Sequence, residues 1–277
     1  MRIGVDLGGT NIRASLVDDA GKVYGHRKER FNNNASLDET LAQLIGFIKP
    51  LMTSDVRGIG IGVPSVVDPV KGVVYNVTNI PAWTVVPLAD KLFNAFNVRV
   101  AVNNDVNCFA LGEYRYGVLA GYNHAVGMSC GTGLGSGIIS NGRLLTGARS
   151  GAGEIGLMHY LDKNIEYYAS GNLFKVQYGI SAEEANVRAS AGDTAMLEAW
   201  AVFGRHMAEA IKTVMYAYDP EAISIGGSLS KAFQLFEKTM REALLTGFEF
   251  PESIRQVHIC QSTNDNISVI GAASLIP

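Results

Sequence analysis

Twice along this chain a buried strand breaks at a glycine-threonine turn and returns as a second strand. That repetition constrains the fold more than any other feature. The first copy runs from Ile3 to Asp18, with Gly8, Gly9, Thr10 and Asn11 at its turn. The second runs from Ala125 to Ser140, with Gly131, Thr132 and Gly133 in the same place. Neither copy is a dinucleotide fingerprint, because the glycine spacing is wrong and a strand rather than a helix follows. No G-x-x-x-x-G-K-[ST] loop occurs either. Gly8 and Gly9 can take the positive φ of a tight hairpin and let backbone N–H groups approach an anion. Thr10 and Asn11 would add side-chain donors. A plain hairpin would need the same glycines, although Asp6 beside them is more acidic than an ordinary turn requires. Two such hairpins facing across a cleft would grip a polyphosphate from both sides.

Between the copies, Ala101 to Glu113 reads as a short strand that halts at Asn103-Asn104-Asp105 and restarts as a helix. Open α/β sheets place ligand-handling groups such as the Asp105 carboxylate at strand ends of this kind, and Asp105 equally suits the N-cap of the helix. Two further carboxylates stand among small residues: Glu154 in a flexible Gly147–Gly156 loop, and Glu166 ahead of Ala169-Ser-Gly171. Pro64 to Asp68 reads as a loop at the sheet edge, and Asn79 to Trp83 as an irregular surface segment with Trp83 plugging the core. Ser36-x-x-Glu39 and Ser181-x-x-Glu184 are capping boxes, the first opening a helix to about Phe47. Further helices are expected around Leu88 to Phe96, over Thr194 to Tyr218 and over Ile267 to Ile276. In the long one, Phe203, Met207, Ile211, Val214, Met215 and Tyr218 form an apolar stripe that reads as core. Asp219-Pro220 ends it, Ala222 to Ile225 is a strand, and Gly226-Gly227-Ser228 makes a third glycine turn.

A length of 277 residues accommodates two domains. With a net charge of −3 and a pI near 6.0, the chain offers a polyanion such as nucleic acid no broad basic surface. Cys108, Cys130 and Cys260 lie too far apart for a disulfide framework or a zinc site, which suits a reducing cytoplasm. No signal segment opens the sequence, and no apolar run approaches the ~18 residues of a membrane span. A cytoplasmic protein is the expectation.

Taken together, these residues resemble the repressor, open-reading-frame and kinase (ROK) family of sugar kinases, within the actin/hexokinase-like ATPase superfamily. The resemblance covers essentially the whole chain. Asp6-Leu-Gly-Gly-Thr10-Asn11 is similar to the family's first phosphate motif, and Gly131-Thr-Gly-Leu-Gly135-Ser-Gly137 to its second. Asp219-Pro-Glu-Ala-Ile-Ser-Ile-Gly226-Gly227 resembles the adenosine-side motif, and Asn104-Asp105 the sugar-binding and catalytic pair. Gly151-Ala-Gly-Glu154-Ile-Gly156 and Glu166 with Ala169-Ser-Gly171 are similar to the sugar loop and the carboxylate beyond it.

The resemblance implies an α/β fold of two ribonuclease-H-like (actin/hexokinase-type) domains around a central cleft. The first would be 1–118, joined by a C-terminal helix at 265–277, and the second 119–264. It implies ATP-dependent phosphorylation of a hexose or N-acetylhexosamine hydroxyl with Asp105 as general base. Asn79, Asn104, Glu154 and Glu166 would bind the sugar. Asp6, Gly8, Gly9, Thr10, Asn11, Gly131, Thr132, Gly133, Gly226 and Gly227 would bind the nucleotide, with Mg²⁺ held near Asp6 through water. A homodimer is implied, with a sugar and a nucleotide as its small-molecule partners and neither nucleic acid nor membrane.

The sequence departs from the family at two points. Leu157 stands where most relatives carry a histidine, and the cysteine cluster that holds their structural zinc is missing. No zinc is therefore expected. His159 either replaces the lost sugar contact or is structural. Relatives lacking the zinc loop include N-acetylmannosamine and β-glucoside kinases, so the sugar stays open, as does polyphosphate in place of ATP. Two rival functions remain. A sugar-responsive repressor would need an N-terminal helix-turn-helix, for which a phosphate motif at residue 6 leaves no room. A catalytically dead sugar sensor is opposed by the intact Asp105 and both phosphate motifs.

Overall fold

The structure, a computed structural model, describes residues 1–77 and 79–277. It divides into two compact units. One comprises Met1–Ala120, Leu144–Ala152 and Asn264–Pro277; the other comprises Gly121–Arg143 and Gly153–Thr263.

The first unit opens with β1 (Arg2–Leu7), β2 (Asn11–Val17) and β3 (Val23–Arg30), followed by α1 (Leu37–Ile48) and β4 (Gly58–Val63). Three short strands come next, β5 (Val66–Asp68), β6 (Val73–Tyr75) and β7 (Val85–Pro87), then α2 (Leu88–Phe96), β8 (Arg99–Asn104) and α3 (Asp105–Tyr116). The main sheet has the order β3-β2-β1-β4-β8. Its first two pairings are antiparallel, and β1, β4 and β8 run parallel. The capping box at Ser36 forms in full: Glu39 N–H donates to Ser36 Oγ, and Ser36 N–H donates to the Glu39 carboxylate.

The second unit repeats this plan. It contains β9 (Ala125–Cys130), β10 (Leu134–Ser140), the first residue of β11 (Arg143–Leu145), β12 (His159–Tyr160), β13 (Lys163–Asn164), α4 (Ile165–Tyr168), α5 (Gly171–Leu173) and α6 (Ala182–Ser190). After them come α7 (Thr194–Tyr218), β14 (Ala222–Gly226), α8 (Phe233–Leu244), α9 (Pro251–Gln256) and β15 (His258–Gln261). The sheet order is β11-β10-β9-β14-β15, with β9 and β10 antiparallel and β9, β14 and β15 parallel. The core is aromatic: Trp200, Phe203 and Phe236 on α7 and α8 pack with Phe174. The chain is thus an α/β protein built on one strand-turn-strand plan used twice.

The last helix, α10 (Ile267–Ala273), returns to the first unit. It lies so close to β1, β4 and α3 that side chains are excluded at the contacts. A Cβ on Gly60 would stand 1.8 Å from the Ala272 carbonyl oxygen, and one on Gly4 1.9 Å from that of Val269. On the α3 side, a Cβ on Gly271 would meet the Cys108 carbonyl oxygen at 1.7 Å.

Several expectations need correction. Val66–Asp68 is a strand of the β5-β6-β7 sheet rather than part of a loop. Trp83 is fully buried, its Nε1–H donating to Thr40 Oγ1 at 2.8 Å, so it belongs to the core rather than capping it. At Ser181 only half a capping box forms, Glu184 N–H donating to the Ser181 hydroxyl. The closing helix ends at Ala273, short of Ile276.

Close packing beneath α10 makes a direct prediction. Gly60→Ala should cost about 3 kcal/mol or more, because backbone rather than a flexible side chain occupies the space. Gly46→Ala, on an exposed position of α1 with nothing within 4 Å, should instead gain about 0.5–1 kcal/mol. Urea unfolding of both variants checks this, and equal midpoints would show that α10 does not pack as described.

Candidate functional site

In the first unit the functional side chains gather at the ends of β1 and β8. The β1–β2 turn is closed by Gly8 N–H donating to Asn11 O at 2.9 Å. Neither Gly8 nor Gly9 takes positive φ, so turn geometry does not explain the glycines. Gly9 is required by its neighbour: a Cβ there would lie 2.6 Å from Cβ of Asn79. Asn79 therefore flanks the turn, its carbonyl held by Asn33 Nδ2 at 2.8 Å. The amides of Gly9 and Thr10 have no hydrogen-bond partner among the described residues. They are available to an anion.

A shallow pocket of about 350 Å³ lies over this turn, lined by Asp6, Gly8, Gly9, Thr10, Asn11, Arg13 and Lys28. Arg13 and Lys28 were not anticipated. Asp6, Arg13 and Lys28 are direct cross-strand neighbours on β1, β2 and β3. Arg13 donates from Nε (3.0 Å) and Nη2 (2.5 Å) to Asp6 Oδ2, and from Nη1 to the Asp265 carbonyl at 2.9 Å. Asp6 is charge-balanced by Arg13, so the pocket's surplus charge is the positive one of Lys28. The turn length alone carried this signal, since a hairpin pivoting on residues 9 and 10 puts residue 13 opposite residue 6.

At the end of β8, Asn104 rather than Asp105 caps α3. Its Oδ1 accepts from Val106 N–H (2.9 Å) and Asn107 N–H (3.1 Å). Its Nδ2 reaches the Ser65 carbonyl at 3.4 Å. Asp105 is the first residue of the helix, half-buried, and its Oδ1 accepts from the following amide at 2.9 Å. Behind it, Asn103 Oδ1 accepts from Asn104 N–H and from Asn107 Nδ2. The neighbouring Cys108 thiol is pushed well above its ordinary range, by burial first and then by the negative charges of Asp105 and Asp6. It is an inert thiol.

In the second unit four segments meet at the β9–β10 turn. Gly131 N–H donates to Gly133 O at 2.9 Å, and Gly171 N–H donates to Gly131 O at 2.8 Å. Glu166, on α4, accepts Leu134 N–H on Oε2 at 2.8 Å. A Cβ on Gly133 would stand 2.5 Å from that oxygen. Gly227 (φ +82°) backs onto Cys130, whose backbone leaves no space for a side chain, and Ser228 Oγ lies beside Gly131. The amides of Thr132 and Gly133 have no partner among the described residues.

The Glu154 segment is packed rather than loose. Ser136 Oγ donates to Gly153 O at 2.6 Å, and Gly156 would collide with the Leu134 carbonyl if it bore a side chain. Glu154 itself reaches solvent, yet the protein around it raises its pKa above the ordinary value, through desolvation first and the Glu166 charge second. Leu157 is 63% exposed and His159 is exposed on β12. Neither has the burial expected of a residue shaping an enclosed pocket. Among the described residues no three His, Cys, Asp or Glu side chains group as a metal site, and no helix is long and apolar enough to cross a membrane.

Comparison with known proteins finds sugar kinases similar to this chain. The chain is 27% identical to a glucokinase of Thermotoga maritima, covering 99% of this chain and 96% of that one. It is 29% identical to an N-acetyl-D-glucosamine kinase of Pasteurella multocida over 86% of this chain and 87% of the other. A ROK glucokinase from Streptomyces griseus, solved with glucose and AMPPNP, superposes with a TM-score of 0.85 at 26% identity, covering 99% and 98% of the two chains. The ROK family profile matches residues 2–277, and the chain belongs to the ROK family.

Proposed function

We propose that this protein is a sugar kinase that transfers the terminal phosphoryl group of ATP to a hydroxyl of a hexose or N-acetylhexosamine. The observation that carries the reading is Asp105, a carboxylate at the end of β8 that Asn104 relieves of capping the helix. A sugar hydroxyl is a weak nucleophile at neutral pH, and Asp105 accepts its proton as the oxygen attacks phosphorus. The rest of the catalysis is positioning and charge stabilisation.

The proposed roles divide by unit. In the first, the free amides of Gly9 and Thr10 and the cation of Lys28 take phosphate oxygens, with Asn11 beside them. Asn79 and Asn104 take sugar hydroxyls, Asn104 through Nδ2 because its oxygen serves the helix. In the second, the amides of Thr132 and Gly133 take phosphate, Gly226 and Gly227 let the nucleotide approach the backbone, and Glu154 and Glu166 accept from sugar hydroxyls. Asp6 fits a magnesium ion held through water: it offers oxygen ligands, and Arg13 engages only Oδ2. When bound, Mg²⁺ neutralises phosphate charge.

An ADP-release assay over glucose, mannose, N-acetylglucosamine, N-acetylmannosamine and a β-glucoside tests the reading with ATP, and direct detection of the sugar phosphate tests polyphosphate as donor. Sugar binding without any phosphoryl transfer would identify a sensor instead. Asp105→Asn should lower kcat about 10²-fold or more while stability stays within about 1 kcal/mol, since Asn104 keeps the cap. Near-normal turnover would remove Asp105 from the chemistry.

The Glu154 carboxyl should titrate above the ordinary 4.5 and move back towards it in Glu166→Gln, followed by carbon-13 NMR. A folded-state value above the unfolded one means the folded protein holds this proton more tightly. The group's contribution to stability is therefore complete below the unfolded value and is lost as pH rises through the folded one. A wild-type titration at or below 4.5 would contradict the described surroundings.

A further inference from the structure

We infer that Glu166 is a positioning residue for the β9–β10 phosphate turn as well as a sugar ligand. Sugar and nucleotide recognition would then be coupled through one side chain inside the second unit. The inference rests on the kinase reading above and deepens it.

Three contacts tie the Glu166 segment to the turn. Glu166 Oε2 accepts Leu134 N–H at 2.8 Å, Gly171 N–H donates to Gly131 O at 2.8 Å, and Cys130 Sγ lies 3.1 Å from Ala169 O. Inside the turn, Gly131 N–H is already bonded to Gly133 O. The amides left for phosphate, Thr132 and Gly133, are bracketed by one closed bond and one carboxylate clamp. Gly133 has no side chain where the clamp passes, since a Cβ would meet Oε2 at 2.5 Å. Removing the clamp leaves Leu134 N–H without an acceptor and frees the two phosphate amides to turn away.

Simple electrostatics predicts the opposite. A carboxylate beside a phosphate turn repels the anion, so deleting its charge should tighten nucleotide binding. A residue that served the sugar alone would leave nucleotide binding untouched. The three possibilities separate by sign.

The experiment measures the dissociation constant of AMPPNP by calorimetry, with Mg²⁺ present and no sugar, on the full chain. Glu166→Ala removes both charge and clamp, and should weaken binding about fivefold or more. Glu166→Gln removes the charge but keeps an oxygen that can accept Leu134 N–H. It should bind AMPPNP within about twofold of wild type, or more tightly, while its KM for sugar rises. Gly133→Ala drives a methyl group into the clamp with Glu166 intact and should weaken AMPPNP binding as Glu166→Ala does. It serves in place of Glu166→Ala if that variant fails to fold. Glu166→Ala binding AMPPNP as well as or better than wild type overturns the coupling. So does Glu166→Gln weakening AMPPNP as much as Glu166→Ala. A wild-type chain that binds no AMPPNP overturns the kinase reading together with the inference.

Discussion

The contact of α10 with β1, β4 and α3 is the constraint on which the first unit depends. Backbone touches backbone there: Gly4 and Gly60 admit the carbonyls of Val269 and Ala272, and Gly112 admits that of Ile267. A helix seated this closely has little freedom to slide, because protein interiors resist even one added methyl group. It joins the chain's last residues to its first strand. It also fixes α3, the helix that starts with Asp105, against the strand that ends near Asp6. Phosphoryl transfer relies on positioning, so rigidity here bears directly on the proposed chemistry.

The second unit reaches a comparable definition by other means. Its turn is held by side-chain and backbone hydrogen bonds from α4 and the Gly171 amide. The two turns also differ in charge. Beside the first, Arg13 balances Asp6 and Lys28 adds a cation. Beside the second stand Glu154 and Glu166, close enough that the charge of one raises the pKa of the other. The Arg13–Asp6 pair, with side chains 32% and 15% exposed, contributes only modestly to stability. Its more specific effect is orientation: both guanidinium bonds go to Oδ2, which fixes the direction of Oδ1.

Local pattern was enough to read the strand-turn-strand repeat, the Ser36 box and the full span of α7, because each is set by neighbours within a few residues. Gly8 and Gly9 do not take the positive φ expected of a tight hairpin; Gly9, like Gly133 in the second turn, makes room for a partner distant in sequence, Asn79 and Glu166 respectively. The cap at α3 was misplaced by one residue, since Asn and Asp cap about equally well and only the bond pattern separates them. Strands β5 to β7 escaped notice because three residues are too few to show a period. Arg13 was legible in principle, as the residue opposite Asp6 in a hairpin of known turn length.

The one-residue shift at α3 changes the chemistry available to Asp105. A carboxylate serving as an N-cap has its oxygens drawn onto the N2 and N3 amides, and a proton taken up there would compete with the cap. Asn104 holds those amides with a neutral oxygen that has no proton to gain or lose over the working pH range. Asp105, one position on, accepts the Val106 amide on Oδ1 and is not the cap. A neutral cap followed by an acid lets the acid change protonation state while the helix start stays bonded. In the proposed reaction Asp105 alternates between carboxylate and carboxylic acid at every turnover, and that separation keeps the helix start bonded throughout.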